Sequence, residues 1–430
     1  MSIHVIVIGA GIAGLSGAIS TKLANPEHKV TILESVHELA EIGAGLQLTP
    51  NATRLFKPWG IYDRLLPFAA APGCLNVRRF DGTKVLSSTP NFQAQIAERY
   101  PGPFWDLHRV DLQHAMVCRC EELGVILRLS SKVVSVDFAN AEVTIESGEN
   151  IQGDVVLCTD GLWSAARSQF LGKQSPPIPT GDLAYRISID TSTMSGTDAP
   201  ELKKFIEACH VNFWAGPRTH VASYSVRGGS VFNLGLLCPD DLPPSVAKQE
   251  GDLNEMKELF EGWDPILMKF LNQVKTVSKW KLMWLEPLPE WANKEGTFLM
   301  AGDCCHPMLP YLAQGANSSL EDGAVIGLLL GKISKDKKEE QLPRLAEMYQ
   351  ALRKQRGEDI QKESFKQRED FHMEDGERQR IRDQVFERNF GRSEPVEDFP
   401  SRWTCPRVQK WLYGYDPYME AESAWEQNPF

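Results

Sequence analysis

Two clusters of small and polar residues, far apart in the chain, have the composition of sites that hold a nucleotide. The first, Gly9-Ala10-Gly11-Ile12-Ala13-Gly14, is a GxGxxG fingerprint. The second runs from Gly302-Asp303-Cys304-Cys305-His306-Pro307 through Leu309-Pro310 to Gln314-Gly315-Ala316-Asn317. A glycine lets the backbone approach a ligand closely, and an aspartate accepts hydrogen bonds from hydroxyl groups. One fingerprint could serve any dinucleotide, whereas the pair predicts a single extended ligand that is gripped at both ends.

The elements around the second cluster indicate which ligand this is. Thr297–Ala301 is predicted to be a short buried strand, and Gln314 opens an apolar helix that includes Leu320–Leu330. The N-terminus of a helix carries free N–H groups and partial positive charge. Aimed at the N1/C2 carbonyl edge of a flavin, it would stabilise the negative charge of the reduced ring, so the predicted ligand is FAD. The competing interpretation is a strand–turn–helix junction in which Asp303 is merely a cap.

The first cluster lies in a predicted β-α-β unit. His4–Gly9 is a strand, Ile12–Leu23 is a helix, and Lys29–Glu34 is the next strand. Glu34 stands about 20 residues after Gly14, which is the position that binds a ribose hydroxyl in dinucleotide-binding folds. Strand, helix and acid agree, so we interpret this unit as the site of the adenosine half of FAD.

Two segments before residue 112 could add contacts to the nucleotide. The small-residue loop Gly43–Ala52, which contains Gly45, predicts backbone close to a flat ligand, although a plain turn has the same composition. Arg109 could reach a pyrophosphate or could form an exposed ion pair. It stands at the start of a predicted helix for which Asp111 is a plausible N-cap.

A third segment follows the predicted strand Asp154–Cys158. Asp160-Gly161 stands at the end of this strand, and Ser164 and Arg167 lie on the helix that comes next. An acid and a glycine at a strand end, followed by a hydroxyl and a guanidinium, are suited to phosphate and sugar groups.

Composition restricts the class of protein. The chain has 430 residues and a net charge of −11, and no basic block compensates for it, so we expect no nucleic-acid partner. The nine cysteines are odd in number and lack a C-x-x-C pair, which indicates reduced thiols and a cytoplasmic protein. No apolar run reaches the length of a membrane span, and no metal site is predicted.

The pattern of elements predicts an α/β protein in four segments. Residues 1–175 and 291–335 form the two parts of an FAD-binding domain, 176–290 an inserted substrate-binding domain, and 336–430 a C-terminal helical region with a tail. The insert begins with a linker at Pro176–Pro179 and is predicted to be a mostly antiparallel sheet, packed over the flavin. The charged helical stretch after Leu345 is expected to expose its charges, and the tail after Trp403 to fold back on the body.

These motifs, in this order, resemble a known family. The chain is similar to the single-component, FAD-dependent aromatic hydroxylases of the p-hydroxybenzoate hydroxylase fold, and most similar to the salicylate hydroxylase and 3-hydroxybenzoate 6-hydroxylase branch with its fungal members. The resemblance implies a Rossmann-like FAD-binding domain of the GR2 type. It also implies that Asp160 serves both FAD and the nicotinamide nucleotide. The cofactor-binding residues that it implies are Gly9, Gly11, Gly14, Glu34, Gly45, Arg109, Asp160, Asp303, Gly315, Ala316 and Asn317.

The substrate site is predicted from a strand face and from the resemblance. His220 and Tyr224 are four residues apart, so in a strand they share a face. The spacing is similar to the pair that orients and deprotonates the phenol in 3-hydroxybenzoate 6-hydroxylase; the alternative is a core histidine and tyrosine. Arg186 is the candidate for binding a carboxylate or phenolate. Pro310 and Gln314, near the flavin in relatives, complete the predicted substrate contacts.

The resemblance implies an FAD-dependent monooxygenase that consumes NADH or NADPH and O2. It would hydroxylate an aromatic small molecule of the phenol or benzoate type through a flavin C4a-hydroperoxide, with or without decarboxylation. One alternative is a tailoring monooxygenase that acts on a larger phenol or indole. Another is a flavin or nucleotide sensor without turnover. A monomer and a homodimer are both compatible with the sequence.

Overall fold

The structure is a computed structural model that describes residues 2–39, 45–392 and 396–430. In chain order its strands are β1 (His4–Ile8), β2 (Lys29–Leu33), β3 (Gly45–Leu48), β4 (Cys74–Arg79), β5 (Val85–Pro90), β6 (Trp105–His108), β7 (Ile126–Arg128), β8 (Val133–Asp137), β9 (Glu142–Ile145), β10 (Asn150–Gln152), β11 (Val155–Cys158), β12 (Ile178–Asp190), β13 (His210–Gly216), β14 (Thr219–Val226), β15 (Val231–Pro239), β16 (Lys248–Glu250), β17 (Ser278–Trp284) and β18 (Phe298–Met300). Its helices are α1 (Ile12–Ala24), α2 (Pro50–Thr53), α3 (Phe56–Trp59), α4 (Tyr62–Leu65), α5 (Phe92–Arg99), α6 (Arg109–Glu122), α7 (Ala165–Phe170), α8 (Ala199–Glu207), α9 (Leu253–Leu259), α10 (Pro265–Gln273), α11 (Gln314–Gly331), α12 (Lys338–Phe371), α13 (Glu377–Asn389), α14 (Pro406–Tyr413) and α15 (Pro417–Gln427).

The nucleotide-binding half is built on a five-stranded sheet in the order β18-β11-β1-β2-β7. All four pairings are parallel. Its central strands are short apolar runs that are buried on both faces, as a parallel sheet covered by helices requires. The first and the last motif therefore meet at the carboxyl edge of one sheet, where open α/β folds bind ligands.

Helices α1 and α11 bring the two glycine clusters together because they pack unusually closely. A Cβ at Gly323 would lie 2.1 Å from Ser16 Oγ, and one at Gly327 would lie 2.3 Å from Ser20 Cβ. Only glycine allows this separation of the two helix backbones. Since α1 follows the first cluster and α11 completes the second, the contact holds both helix N-termini beside the same space.

The second half is an eight-stranded sheet in the order β16-β17-β12-β15-β14-β13-β4-β5. Every pairing in it is antiparallel except that of β13 with β4. This agrees with the predicted mostly antiparallel sheet. Strands β4 and β5 come from residues 74–90, inside the segment predicted as the first FAD-binding part, so the sheet takes strands from both sides of residue 175. The four domain bounds themselves stay a prediction.

Several local predictions were wrong in detail. Strand β12 starts at Ile178, so half of the predicted linker belongs to the sheet. Asp111 is not the N-cap of α6, because the helix already begins at Arg109 and the capping position is His108. Instead, the Asp111 carboxylate accepts two hydrogen bonds from Arg227, at 2.7 and 2.8 Å. Helices α9 and α10 are separate, and Pro265 is the first residue of α10.

The C-terminal helices cover the back of the nucleotide-binding half. The prediction that the charges of α12 are exposed was wrong for Arg353 and Arg356, which are 0% and 8% exposed. Glutamate and aspartate side chains of α11 neutralise them in the core. The tail folds back as expected, and the Tyr418 hydroxyl of α15 accepts a hydrogen bond from Trp59 Nε1 at 2.6 Å. Among the described helices, none is both long and apolar enough to cross a bilayer.

Candidate active site

The first glycine cluster forms a turn with an open side. Gly9 has a φ of +99°, and a Cβ there would lie 2.7 Å from the carbonyl oxygen of Thr159. A Cβ at Gly14 would lie 2.1 Å from the carbonyl oxygen of Gly9, so this glycine packs the helix on the strand. A Cβ at Gly11 would meet no described atom within 4 Å. Tight turn, close packing and open space are the three roles that a pyrophosphate cradle needs from its glycines.

Two acids flank this turn at the ends of neighbouring strands. Glu34 follows β2, and its Oε2 accepts a hydrogen bond from the Ala10 N–H at 2.7 Å. Asp160 follows β11, where it accepts hydrogen bonds from the Cys158 thiol at 3.0 Å and from the Ala166 N–H at 3.3 Å. Both are half-buried beside the glycine turn, as expected for acids that bind a nucleotide sugar.

Arg167 does not contact this space, which corrects the expectation that it binds phosphate. Its guanidinium is 1% exposed and donates to the carbonyl oxygens of Cys304 at 2.8 Å, Leu162 at 2.9 Å and Ser175 at 2.7 Å. Ser164 caps α7 by accepting from the Arg167 N–H at 2.9 Å. Arg167 ties the Asp160 segment to the second glycine cluster, and Ser164 caps the helix that carries Arg167, so the role of both residues is structural.

The second cluster places Asp303 in the cleft between the two sheets. Gly302 has a φ of +70°, and a Cβ there would lie 2.8 Å from Ala13 Cβ, so this turn packs directly on the start of α1. The Asp303 side chain is accessible to solvent. Burial nevertheless raises its pKa, against the charges of His306, Arg109 and Arg186, which lower it. Asp303 is reached by solvent and is also surrounded by protein atoms, including those of Arg109 and Arg186. Its carboxylate therefore lines a cleft.

The start of α11 points its backbone at this cleft. Ala313, with a φ of 50°, precedes the helix, and no side chain of the described residues caps it. The first N–H groups, including those of Gly315 and Ala316, have no partner within the helix. An uncapped end of an 18-residue helix next to Asp303 fits the electron-rich edge of a flavin.

The side chains of Gln314 and Asn317 do not reach this cleft, which corrects the predicted substrate contact of Gln314. Its amide is 1% exposed, accepts from Asn51 Nδ2 at 3.2 Å and donates to Thr49 Oγ1 at 3.1 Å. Asn317 accepts from the Thr49 N–H at 2.9 Å and donates to the Gln47 carbonyl at 3.0 Å. Each amide is satisfied in the core, so these residues shape the loop that follows β3.

The register of the large sheet brings the three predicted substrate residues to one face. Arg186 lies opposite Gly235, and Gly235 lies opposite Ala222. Since paired residues share a face, and Ala222 stands between His220 and Tyr224, all five residues face the same side. Among the described atoms, a Cβ at Gly235 would meet only Leu237 Cδ1, at 3.8 Å. Gly235 and Ala222 therefore form a low floor between larger side chains.

Arg186 stands at one side of this floor, next to the flavin-binding residues. Burial lowers its pKa, and so does the charge of Arg109, whereas Tyr224 and Asp303 raise it. Its guanidinium lies over the ring of Trp280, 4.6 Å from the centroid. Predicted cofactor and substrate residues thus meet around one cleft.

Tyr224 stands at one end of the floor and packs against Gly45. A Cβ at Gly45 would lie 2.5 Å from Tyr224 Cε2 and 2.8 Å from its hydroxyl oxygen. The Gly45 N–H donates to Asn233 Oδ1 at 3.0 Å, which fixes this contact. Burial is the main cause that raises the pKa of Tyr224, so its hydroxyl is neutral at pH 7. The start of the predicted loop, Gly43 and Ala44, lies outside the described residues.

His220 stands at the other end of the floor, where its ring contacts the side chains of His372 and Tyr311. Its Nδ1 lies 2.7 Å from His372 Nε2, and its ring centroid lies 5.4 Å from that of Tyr311. Burial and the neighbouring His372 lower the pKa of His220 well below its usual value. Pro310, which precedes Tyr311, is exposed at the start of the same turn. The sequence offered no signal for His372, the cap residue of a charged helix.

The glycine turn, the acids that flank it and the uncapped start of α11 together suit the binding of FAD. Comparisons with known proteins identify the family. The family described as FAD binding domain matches residues 272–364. FAD-dependent monooxygenase OpS4 of Beauveria bassiana is 50% identical over 424 residues, 98% of this chain and 97% of that protein. 3-Hydroxybenzoate 6-hydroxylase 1 of Aquipseudomonas alcaligenes is 31% identical over 339 residues, 76% of this chain and 81% of that protein.

The solved structure of CtdE in complex with FAD and a substrate has the same fold, with a TM-score of 0.82 and 22% identity over 99% of this chain and 98% of that one. The chain belongs to the family of FAD-dependent monooxygenases. The predicted family, fold class and cofactors, FAD with NAD(P)H and O2, are therefore confirmed.

Proposed function

We propose that this monooxygenase hydroxylates a phenol that carries a carboxylate, of the hydroxybenzoate type, with or without loss of the carboxylate as CO2. The observation that supports this most is the row Arg186–Gly235–Ala222 across the large sheet, beside Asp303 and Arg109. A flat ring lies well on a floor of two small residues. A guanidinium at its side matches a carboxylate in shape and charge. The name of a relative, 3-hydroxybenzoate 6-hydroxylase 1, agrees with this substrate class.

When bound and reduced by NADH or NADPH, FAD would activate O2, one atom of which is transferred to the ring while the other leaves as water. The residues of this chain bind the ring, orient it and control its proton. Arg186 holds the carboxylate. Tyr224 and His220 stand at opposite ends of the floor, and four residues of a strand separate their Cα atoms by about 13 Å. We therefore assign the contact with the ring edge to Tyr224 and the removal of the hydroxyl proton to His220, whose imidazole is neutral at pH 7.

A neutral base and a dry cleft both favour the reaction. A phenol that loses its proton becomes a stronger nucleophile at the ring carbons. Burial keeps the His220 ring uncharged at pH 7, so one ring nitrogen has a free lone pair. The same lowering of its pKa makes the ring a weak base, so His220 must pass a proton on as it accepts one. If the oxygen atom adds to the carbon that bears the carboxylate, CO2 leaves; at another carbon the carboxylate stays. The position of Arg186 relative to the flavin decides between these outcomes.

The test is a substrate panel with purified, FAD-loaded protein. NADH or NADPH oxidation and product formation are measured with salicylate, 3-hydroxybenzoate, phenol and indole. We expect the carboxylated phenols to stimulate oxidation most and to give hydroxylated product. Equal stimulation by phenol or indole would contradict the carboxylate requirement and would favour a tailoring enzyme for a larger, uncharged substrate. Labelled carboxylate reports whether CO2 is released.

The Arg186→Lys variant is the matched control within the site. Lysine keeps the positive charge but cannot form two parallel hydrogen bonds to a carboxylate. We expect KM for the carboxylated substrate to rise strongly, while the flavin spectrum and the reaction of reduced enzyme with O2 without substrate stay unchanged. An unaltered KM would place the carboxylate elsewhere.

Two further points complete the proposal. A cytoplasmic location is supported by the nine cysteines, all of them free thiols. Burial raises the pKa of Cys158, Cys304 and Cys305, so these thiols beside the nucleotide cleft resist oxidation. The oligomeric state is a monomer or a homodimer, which sedimentation of the FAD-loaded protein distinguishes.

A further inference from the structure

We propose that His372 is the second member of a proton path, through which the proton that His220 takes from the substrate hydroxyl reaches a solvent-exposed cavity beside the floor, on the same face of the large sheet. This inference deepens the proposed function and rests on it. Two imidazoles in direct contact, one on the substrate floor and one at a cavity, are the observation that carries it. His372 would act as a positioning and relay residue without touching the substrate.

The cavity lies next to His372, on the same face of the large sheet as the floor, since its lining residue Asp182 is four residues from Arg186 on β12. It has a volume of about 540 Å³, and its charged and imidazole side chains are those of Asp182, Arg218, Arg368, Glu369, His372, Glu374 and Arg378. This is room for many water molecules, since one occupies about 30 Å³ in the liquid. The side chains of Arg218 and Glu374 are 67% and 69% exposed, so the cavity opens to solvent. A proton delivered there can leave.

The two rings connect the floor with this cavity. His220 Nδ1 lies 2.7 Å from His372 Nε2, and the ring centroids are 4.9 Å apart. The Arg218 N–H donates to the His372 carbonyl oxygen at 3.0 Å, which holds the residue in place. His220 Nε2 makes no hydrogen bond to any residue in the described part of the chain. It is therefore open to a partner on the floor side.

The proton transfers balance both when the substrate is deprotonated and when the product is reprotonated. The substrate O–H bond breaks as His220 Nε2 gains the proton, and His220 Nδ1 passes its own proton to His372 Nε2. His372 Nδ1 then releases a proton to water in the cavity, so neither ring keeps a charge. When the product is reprotonated, the same steps run backwards and restore the original tautomers. No oxidant or other co-reactant is needed.

The groups that face His372 keep it neutral. Asp182 Oδ2 of β12 lies 3.9 Å from His372 Nδ1, but this carboxylate is already engaged by Arg368 of α12 at 2.5 and 2.7 Å and by the Tyr311 hydroxyl. Arg218, Glu374 and Arg378 line the cavity from three other segments. Burial, and then the charge of Arg368, lower the pKa of His372 to about 3. An imidazole that stays neutral can pass a proton without trapping it.

The experiment follows deprotonation directly, without NAD(P)H. FAD-loaded wild type, His372→Ala and the control Arg378→Ala are mixed with 3-hydroxybenzoate or salicylate in a stopped-flow instrument, and phenolate absorbance is recorded. Arg378 lines the same cavity. We expect His372→Ala to slow deprotonation by at least tenfold with unchanged substrate Kd and FAD content, and Arg378→Ala to behave as wild type. Added imidazole, which fits the enlarged cavity, should restore the rate of His372→Ala.

Each outcome decides the proposal. An unaltered rate in His372→Ala, equal losses in both variants, or no rescue by imidazole would overturn the path while leaving the proposed function intact. If His372→Ala loses FAD, the same measurement on His372→Gln replaces it, since glutamine keeps a side chain of similar reach but cannot relay a proton between two ring nitrogens. If wild type neither binds nor hydroxylates either phenol, the proposed function fails and the path fails with it.

Discussion

His306 Nε2 lies 2.5 Å from Asp322 Oδ2, so the histidine of the second glycine cluster points into the core and not into the cleft. The same carboxylate oxygen accepts from the Gly302 N–H at 2.9 Å, and Oδ1 accepts from Arg353 Nε at 2.8 Å. One buried acid of α11 thus fixes both ends of the turn that carries Asp303.

We expect Asp322→Asn to lower the free energy of unfolding at pH 7 and to make this free energy depend less on pH in the acid range. Burial alone would raise the pKa of Asp322, but His306 and Arg353 lower it from 3.8 to about 2. For a lowered pKa, the stabilisation is present above about pH 4 and is lost as the pH falls towards about 2, and it amounts to about 2 kcal/mol. Arg353 keeps its ion pair with Glu321, so the loss of the Asp322 charge should cost about the same 2 kcal/mol at pH 7.

Denaturant unfolding at several pH values checks this. His306→Gln is the matched control, because it removes one hydrogen-bonding partner and leaves the ion pair with Arg353. It should destabilise less and keep most of the acid dependence. If Asp322→Asn and wild type lost equal amounts of stability between about pH 4 and pH 2, this carboxylate would not carry the acid sensitivity.

Gly11→Val and Gly14→Ala should fail in different ways. A Cβ at Gly11 meets no described atom within 4 Å, so the larger side chain fits the free protein and blocks only the pyrophosphate. We expect folded but colourless protein with normal far-ultraviolet circular dichroism. A Cβ at Gly14 would lie 2.1 Å from the Gly9 carbonyl oxygen, so even alanine should impair folding. Full flavin occupancy in Gly11→Val would contradict the assignment of this cradle.

The substitutions Gly45→Ala and Gly235→Ala distinguish the role of Tyr224 from the role of the floor. At Gly45 the added methyl group would overlap the Tyr224 ring at 2.5 Å, so the ring must move, at a cost of about 1–3 kcal/mol. At Gly235 the methyl group would have a neighbour only at 3.8 Å, so stability should not change. We expect Gly45→Ala to lower the product formed per NAD(P)H, and Gly235→Ala to raise the substrate KM by raising the floor. Thermal unfolding and coupling, measured on both, check this; equal behaviour would contradict the distinction.

The sequence predicted the parts of the fold and site that local patterns encode. Both glycine clusters, Glu34 and the face shared by His220 and Tyr224 follow from spacing alone. The entry of β4 into the large sheet did not, because its parallel pairing with β13 joins residues more than 130 positions apart. No local pattern specifies such a partner. The final neighbours of each site residue depend on that kind of long-range packing.

Buried charges were missed for a related reason. Arg353 and Arg356 lie in a helix whose composition is typical of an exposed surface, and only the position of Glu321 and Asp322 on α11 reveals their partners. Gln314 was expected in the cleft because the resemblance to known hydroxylases places it near the flavin. Its amide turned inwards because Asn51 and Thr49 satisfy it there. Side-chain direction at a helix start depends on the partners that the fold brings to it.

Tyr224→Phe tests the proposed division of labour on the floor. The hydroxyl of Tyr224 is buried and neutral at pH 7, since burial raises its pKa, so it acts as a hydrogen-bonding group and not as the base. We expect the variant to bind FAD and to be reduced by NAD(P)H at a normal rate in the presence of substrate. Because the ring is no longer oriented, less product and more H2O2 should form per NAD(P)H consumed. His220→Gln should differ, since loss of the base lowers the hydroxylation rate by about 10²–10⁴-fold. The measurement is the ratio of product to H2O2, together with phenolate absorbance on binding. If Tyr224→Phe alone abolished phenolate formation, the base would be Tyr224, and the assignment to His220 would be wrong.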